Sequence, residues 1–226
     1  MQKSRSSFTH LVSVPFTNPE FVASYLHFKD TVLKTFRDSA GIDDSLFQNA
    51  KKLHLTVTVL TLENDETLKK AGDLLRQVCS SFIASEPVDL RSKLQIKSLA
   101  SMNADSTRTK VLYAMVEDDR LQALADKVAT EMTSSGYVFK DDKSAGPVKL
   151  HITLMNTVFA RRKAMRNRKR KTESGSAPKS FDSTQILEHY RDFVFADIDF
   201  PPIQLNDVRL ESEDGYYKVI ESVNFC

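Results

Sequence analysis

Two six-residue segments carry the side chains best suited to chemistry. Lys52-Leu53-His54-Leu55-Thr56-Val57 returns as Lys149-Leu150-His151-Ile152-Thr153-Leu154, each position advanced by 97 residues. Imidazole changes charge near neutrality, so two histidines can divide the work of a general base and a general acid. Threonine hydroxyls beside them can donate to phosphate oxygens where negative charge develops in a transition state. Cleaving a phosphodiester needs both services: a proton taken from the attacking oxygen and a proton given to the leaving one. A single H-x-T is short, and on its own it more often marks a strand facing solvent. Two copies with matching flanks, one in each half of the chain, make the case for a shared phosphate site.

Both segments alternate apolar and polar residues, and the first is rich in β-branched side chains, which predicts strands. Residues two apart on a strand share a face. His54, Thr56 and Thr58 then stand together against Leu53, Leu55, Val57 and Val59, and His151 and Thr153 stand against Leu150, Ile152 and Leu154. Further strands are expected at Phe8 to Val14, Leu94 to Met102, Lys110 to Val116, Phe193 to Ile198, Gln204 to Glu211 and Tyr216 to Asn224. Helices are expected from the Asn18 cap with Pro19 in the first turn, from Asp65 to Phe82, from Asp119 to a stop at Gly136, and from Asp182 to Tyr190. Phe21, Tyr25, Phe28, Val32 and Phe36 give the first helix a buried stripe; Leu121, Leu124, Val128 and Met132 do the same for the third. The second H-x-T strand reads on through Val158 and Phe159. About 160 to 179 then reads as a basic, Ser/Gly/Pro-containing loop. The alternation of elements fits an α+β fold of two lobes around a shared cleft.

The bulk properties agree with an intracellular domain. The 226 residues suffice for a sizeable core, and 41% hydrophobic with 27% charged content is ordinary for a globular chain. A net charge of +2 gives no global attraction to nucleic acid, so a basic partner surface must be local. Two cysteines, Cys79 and Cys226, make no disulfide framework, and no apolar run approaches the roughly 20 residues that cross a bilayer. No H-E-x-x-H, paired C-x-x-C, Walker loop or dinucleotide fingerprint occurs.

Weaker candidates surround the repeat. Arg161, Arg162 and Lys163, continuing through Arg166 to Lys171, could track a phosphate backbone, serve as a nuclear localisation signal, or be a solvated run. Tyr216 and Tyr217 point to opposite faces of a strand, so only one could stack a base, and Tyr216 is taken as a candidate. His27 and His189 fall in helical patterns and read as structural.

The paired H-x-T motifs resemble those of the 2H phosphoesterases. Thr9-His10-Leu11-Val12-Ser13-Val14-Pro15, His151-Ile152-Thr153-Leu154-Met155-Asn156-Thr157, Ser180-Phe181-Asp182 and Gly215-Tyr216-Tyr217 are similar to a narrower group. That group is the phosphoesterase-like domain of activating signal cointegrator complex subunit 1 and the central domain of A-kinase anchoring proteins. The resemblance spans essentially the whole chain. It implies one bilobal domain over 1–226, catalytic His54, Thr56, His151 and Thr153, a His10 that lines the cleft through its first-strand motif, and no metal or cofactor. The implied substrate is RNA or an oligonucleotide, attacked through a 2'-hydroxyl or as a 2',3'-cyclic phosphate; the alternative is a nucleotide- or RNA-binding module with little turnover. It also implies a monomeric, nuclear or cytoplasmic domain, with coactivator or helicase complex subunits as partners and no membrane. No G-x-x-G in a KH-like pattern occurs in these residues, so no KH module is expected among them.

Overall fold

The computed structural model describes residues 8–36, 41–85, 92–139, 146–169 and 177–225. Eight strands form one sheet: β1 (His10–Pro15), β2 (His54–Leu60), β3 (Leu94–Ser101), β4 (Val111–Val116), β5 (His151–Asn156), β6 (Val194–Ile198), β7 (Ile203–Glu211) and β8 (Tyr217–Val223). Five α-helices accompany them: α1 (Pro19–Thr35), α2 (Asp65–Ser85), α3 (Asp119–Ser134), α4 (Thr157–Lys169) and α5 (Thr184–His189). The strand order is β6-β3-β4-β5-β2-β1-β7-β8, and every neighbouring pair is antiparallel.

The sheet divides into two four-strand halves at β5 and β2. Among the described residues those strands share one backbone pair, Leu55 opposite Ile152. These are the middle residues of the two H-x-T motifs, so a pseudo-twofold axis passes through them. Both are fully buried. Their burial turns the flanking histidines and threonines to the opposite face of the sheet, away from the core.

The helices interlock the halves. Asn18 Oδ1 accepts from the backbone N–H of Glu20 and Phe21, capping α1 with Pro19 in its first turn. The α1 stripe then packs across on β6, where Phe21 and Phe28 each lie 5.9 Å from the Phe195 ring. In exchange α3 leans back on β2 and on α2. Gly136, at φ +74°, ends α3 in a conformation that costs glycine nothing.

Two local features depart from the sequence reading. First, the ladder shifts register between Val12 and Ser13, which face Thr58 and Thr56, and between Leu112 and Tyr113, which face Met155 and Thr153. Val57 and Leu154 are the extra residues, so both strands bulge directly after their H-x-T. A bulge reverses the alternation. Thr58 is therefore buried rather than beside Thr56, while Val59 and Asn156 return to the open face. Second, β5 stops at Asn156, and 157–169 form α4 where an extended strand and loop were expected. Asn156 Oδ1 accepts from the Val158 N–H, and the following Ala, Arg, Lys and Met residues are good helix formers. Lys163 also reaches Asp44 Oδ2 at 3.3 Å, tying α4 to the short turn Asp44–Leu46. The rest of the expected loop to 176 lies outside the described residues, and 177–179 carry no helix or strand.

Candidate functional site

The register through Leu55 and Ile152 sets His54 opposite Thr153 and Thr56 opposite His151. The two histidines are therefore diagonal neighbours across the axis, about 7–8 Å apart by general strand geometry. All four side chains line one cavity of about 750 Å³, shared with Asn156, Arg162, Arg209 and Tyr217.

Each imidazole is fixed in the same way. His54 Nδ1 lies 2.7 Å from the Lys52 carbonyl, and His151 Nδ1 lies 2.7 Å from the Lys149 carbonyl. A carbonyl only accepts, so Nδ1 carries the hydrogen in both rings. The neutral rings thus offer the lone pair of Nε2, on the far side of the ring, to the cavity. A tyrosine ring packs T-shaped against each imidazole: Tyr217 against His54 at 5.6 Å between centroids, Tyr113 against His151 at 5.4 Å. Each tyrosine face holds a lysine ammonium at 4.9 Å, Lys52 over Tyr217 and Lys149 over Tyr113. The tyrosines come from strands that are not equivalent, β8 and β4. The axis is thus kept by the motifs and mimicked by their walls.

Burial holds both imidazoles below the ordinary histidine value. For His54 the Lys52 carbonyl works against that, and the His151 ring lowers it further. For His151 the Lys149 carbonyl opposes burial, and the Lys149 ammonium adds to it. Both rings are therefore neutral near pH 7 in the free protein.

The weaker sequence candidates separate. Arg162 lines the cavity from α4. Lys163 faces a neighbouring space and pairs with Asp44, whereas Arg161 is exposed and lines neither. Tyr216 is buried, with its hydroxyl 3.1 Å from Ser13 Oγ; Tyr217, one residue on, takes the cleft face. His10 is 2% exposed and does not line the cleft. Strand alternation gives Leu11 that position and turns His10 toward Asp207, 3.7 Å away. The sequence reading missed Lys52, Lys149, Tyr113, Arg209 and Asn156. The lysines had a signal, since they belong to the repeated hexapeptide; Tyr113 and Arg209 had none. Among the described residues no group of three His, Cys, Asp or Glu comes together as a metal site.

Residues 8–225 match the profile of the AKAP7 2'5' RNA ligase-like domain. The chain belongs to that family. It is 29% identical over 232 residues to mouse (Mus musculus) activating signal cointegrator 1 complex subunit 1. That alignment takes in 99% of this chain but 64% of the relative's length. Escherichia coli LigT complexed with 3'-AMP superposes with a TM-score of 0.54 at 15% identity, covering 96% of this chain and 98% of LigT. TT0787 of Thermus thermophilus gives 0.54 at 17% identity, covering 95% and 96%. At such identities the likeness is one of fold, and the fold is that of the 2H phosphoesterases. In this chain His54, Thr56, His151 and Thr153 stand where its own two H-x-T segments meet on β2 and β5.

Proposed function

We propose that this family member is a metal-independent phosphodiesterase of RNA or oligonucleotides. The observation that carries the reading is the matched anchoring of both imidazoles by backbone carbonyls, with each Nε2 left to one cavity. In a transesterification, one Nε2 takes the proton of the 2'-hydroxyl as that oxygen bonds to phosphorus. The other imidazole, protonated once phosphate is bound, gives its proton to the departing 5'-oxygen. A 2',3'-cyclic phosphate and a free 5'-hydroxyl result. With a cyclic phosphate as substrate, water replaces the 2'-hydroxyl and one ring oxygen leaves. Thr56 and Thr153 donate to the non-bridging oxygens, and Arg162 and Arg209 supply positive charge at the cavity wall. A pure binding module needs donors and cations, but it has no use for two rings held in the same base-ready tautomer.

The mouse relative is by name a complex subunit, and we extend to this chain a place in such an assembly in the nucleus or cytoplasm. No helix among the described residues is long and apolar enough to cross a membrane. The direct test incubates the protein, in EDTA, with short single-stranded RNA, matching DNA and RNA ending in a 2',3'-cyclic phosphate. Mass spectrometry should show RNA cleavage or ring opening and intact DNA. Turnover only after metal addition, or none on any substrate, would refute the proposal.

A further inference from the structure

Beside the catalytic cavity lies a second space of about 630 Å³. The two are continuous, sharing Gln48, Lys52, Phe159, Arg162, Glu211 and Tyr217. Each is of the size that takes a small ligand, about 300–1,000 Å³. Three features of the second space suit a nucleotide. Tyr217 and Phe159 stand at the junction as aromatic surfaces. Asn49 offers an amide at the wall, and its Oδ1 already accepts from the Lys51 N–H at 3.0 Å. At the far side, Lys29 from α1 and Lys163 from α4 converge on one carboxylate, Asp44, at 2.7 and 3.3 Å.

We infer that this space is a second nucleotide subsite, in which the next phosphate of a single strand lies between Lys29 and Lys163 in place of the Asp44 carboxylate. The inference rests on the proposed phosphodiester chemistry for the identity of the ligand. Its geometry is independent of whether turnover occurs. Two ammonium groups held by separate helices around one anion form a site with the spacing that an oxyanion accepts. A phosphate with more oxygens and a chain attached can displace the carboxylate, which is more than half exposed. A base stacked on Phe159 makes the subsite tolerant of sequence, because every base has a π-face. The arrangement favours ligands of two or more nucleotides over a mononucleotide. Asp44 competes with the ligand, so removing its charge should help binding, the reverse of what loss of a structural ion pair does.

The test measures binding of 2'-O-methyl RNA, which cannot transesterify, at one and three nucleotides by fluorescence anisotropy or calorimetry. The trinucleotide should bind at least tenfold tighter than the mononucleotide. Lys29→Gln with Lys163→Gln should erase most of that advantage and leave the mononucleotide within twofold. The same double variant should lower the salt slope for the trinucleotide, by about 0.7 for each phosphate it no longer neutralises. Asp44→Asn should strengthen the trinucleotide threefold or more. Equal affinities for the two lengths, an unaffected double variant, or a weaker trinucleotide with Asp44→Asn would overturn the subsite. Because the readout is binding, loss of the subsite is distinguishable from loss of catalysis, which the cleavage assay reports.

Discussion

The one β2–β5 ladder pair among the described residues makes Ile152 a test of how the site is held. Ile152 is fully buried, pairs with Leu55 on the pseudo-axis, and stands between His151 and Thr153. Ile152→Ala removes buried side-chain carbons, at a cost of about 2–5 kcal/mol depending on how far the core collapses. For a chain of this size each kcal/mol moves Tm by about 2–4 °C, so a fall of about 4–20 °C follows. Leu75→Ala, on α2 and equally buried, should cost a similar amount and serves as the control. The two should part in kinetics. Collapse around position 152 shifts one H-x-T against the other, and a displacement of about 1 Å can cost about 10²-fold in rate. Leu75→Ala touches neither motif and should keep kcat within a few-fold. The assay pairs thermal denaturation with single-turnover cleavage at a temperature where both variants are folded. Equal kcat in the two variants, at equal loss of Tm, would refute the claim that this pair sets the catalytic geometry.

Thr56→Val and Thr153→Val keep shape but remove a hydroxyl, so each should lower kcat by about 10²–10³, the cost of one missing transition-state donor, with little change in Tm. A rise in KM at constant kcat would show that the hydroxyls serve ground-state binding only. Stability should fall on mild acidification. Burial depresses the folded values of His10, His54 and His151, so the unfolded chain, with histidines near about 6.5, binds more protons as pH drops. Full stability is thus present above about pH 6.5 and declines below it, before the carboxylates protonate. A urea midpoint unchanged between pH 7.5 and 5 would contradict this.

The repeat made the central strands and the shared face of their four H-x-T side chains legible, because a period of two needs only local residues to assign a face. The same period failed at Thr58, where a bulge set by the neighbouring strands reverses the faces. His10 obeys the alternation along β1, but which face of that strand meets the cleft depends on how β1 sits between β2 and β7. The adjacent tyrosines obeyed the alternation, but sequence alone could not say which of the two faces was the cleft. Basic composition argued for a loop after β5, while Asn156 capping and high intrinsic propensity made a helix. Helix exchange between the halves, α1 onto β6 and α3 onto β2, leaves no mark on periodicity because it changes partners and not faces.

The central claim is that His54 and His151 act as one base–acid pair. Its most direct measurement is the single-turnover cleavage rate, in EDTA, of the wild-type chain, His54→Ala, His151→Ala and the double variant across pH. Each single variant should lose about 10²–10⁴ in rate, and the double little more, because either ring alone leaves one proton transfer unassisted. The bell-shaped profile of the wild type should become one-sided in each single variant. A single variant that keeps the wild-type rate, with the chemical step limiting, would contradict the account.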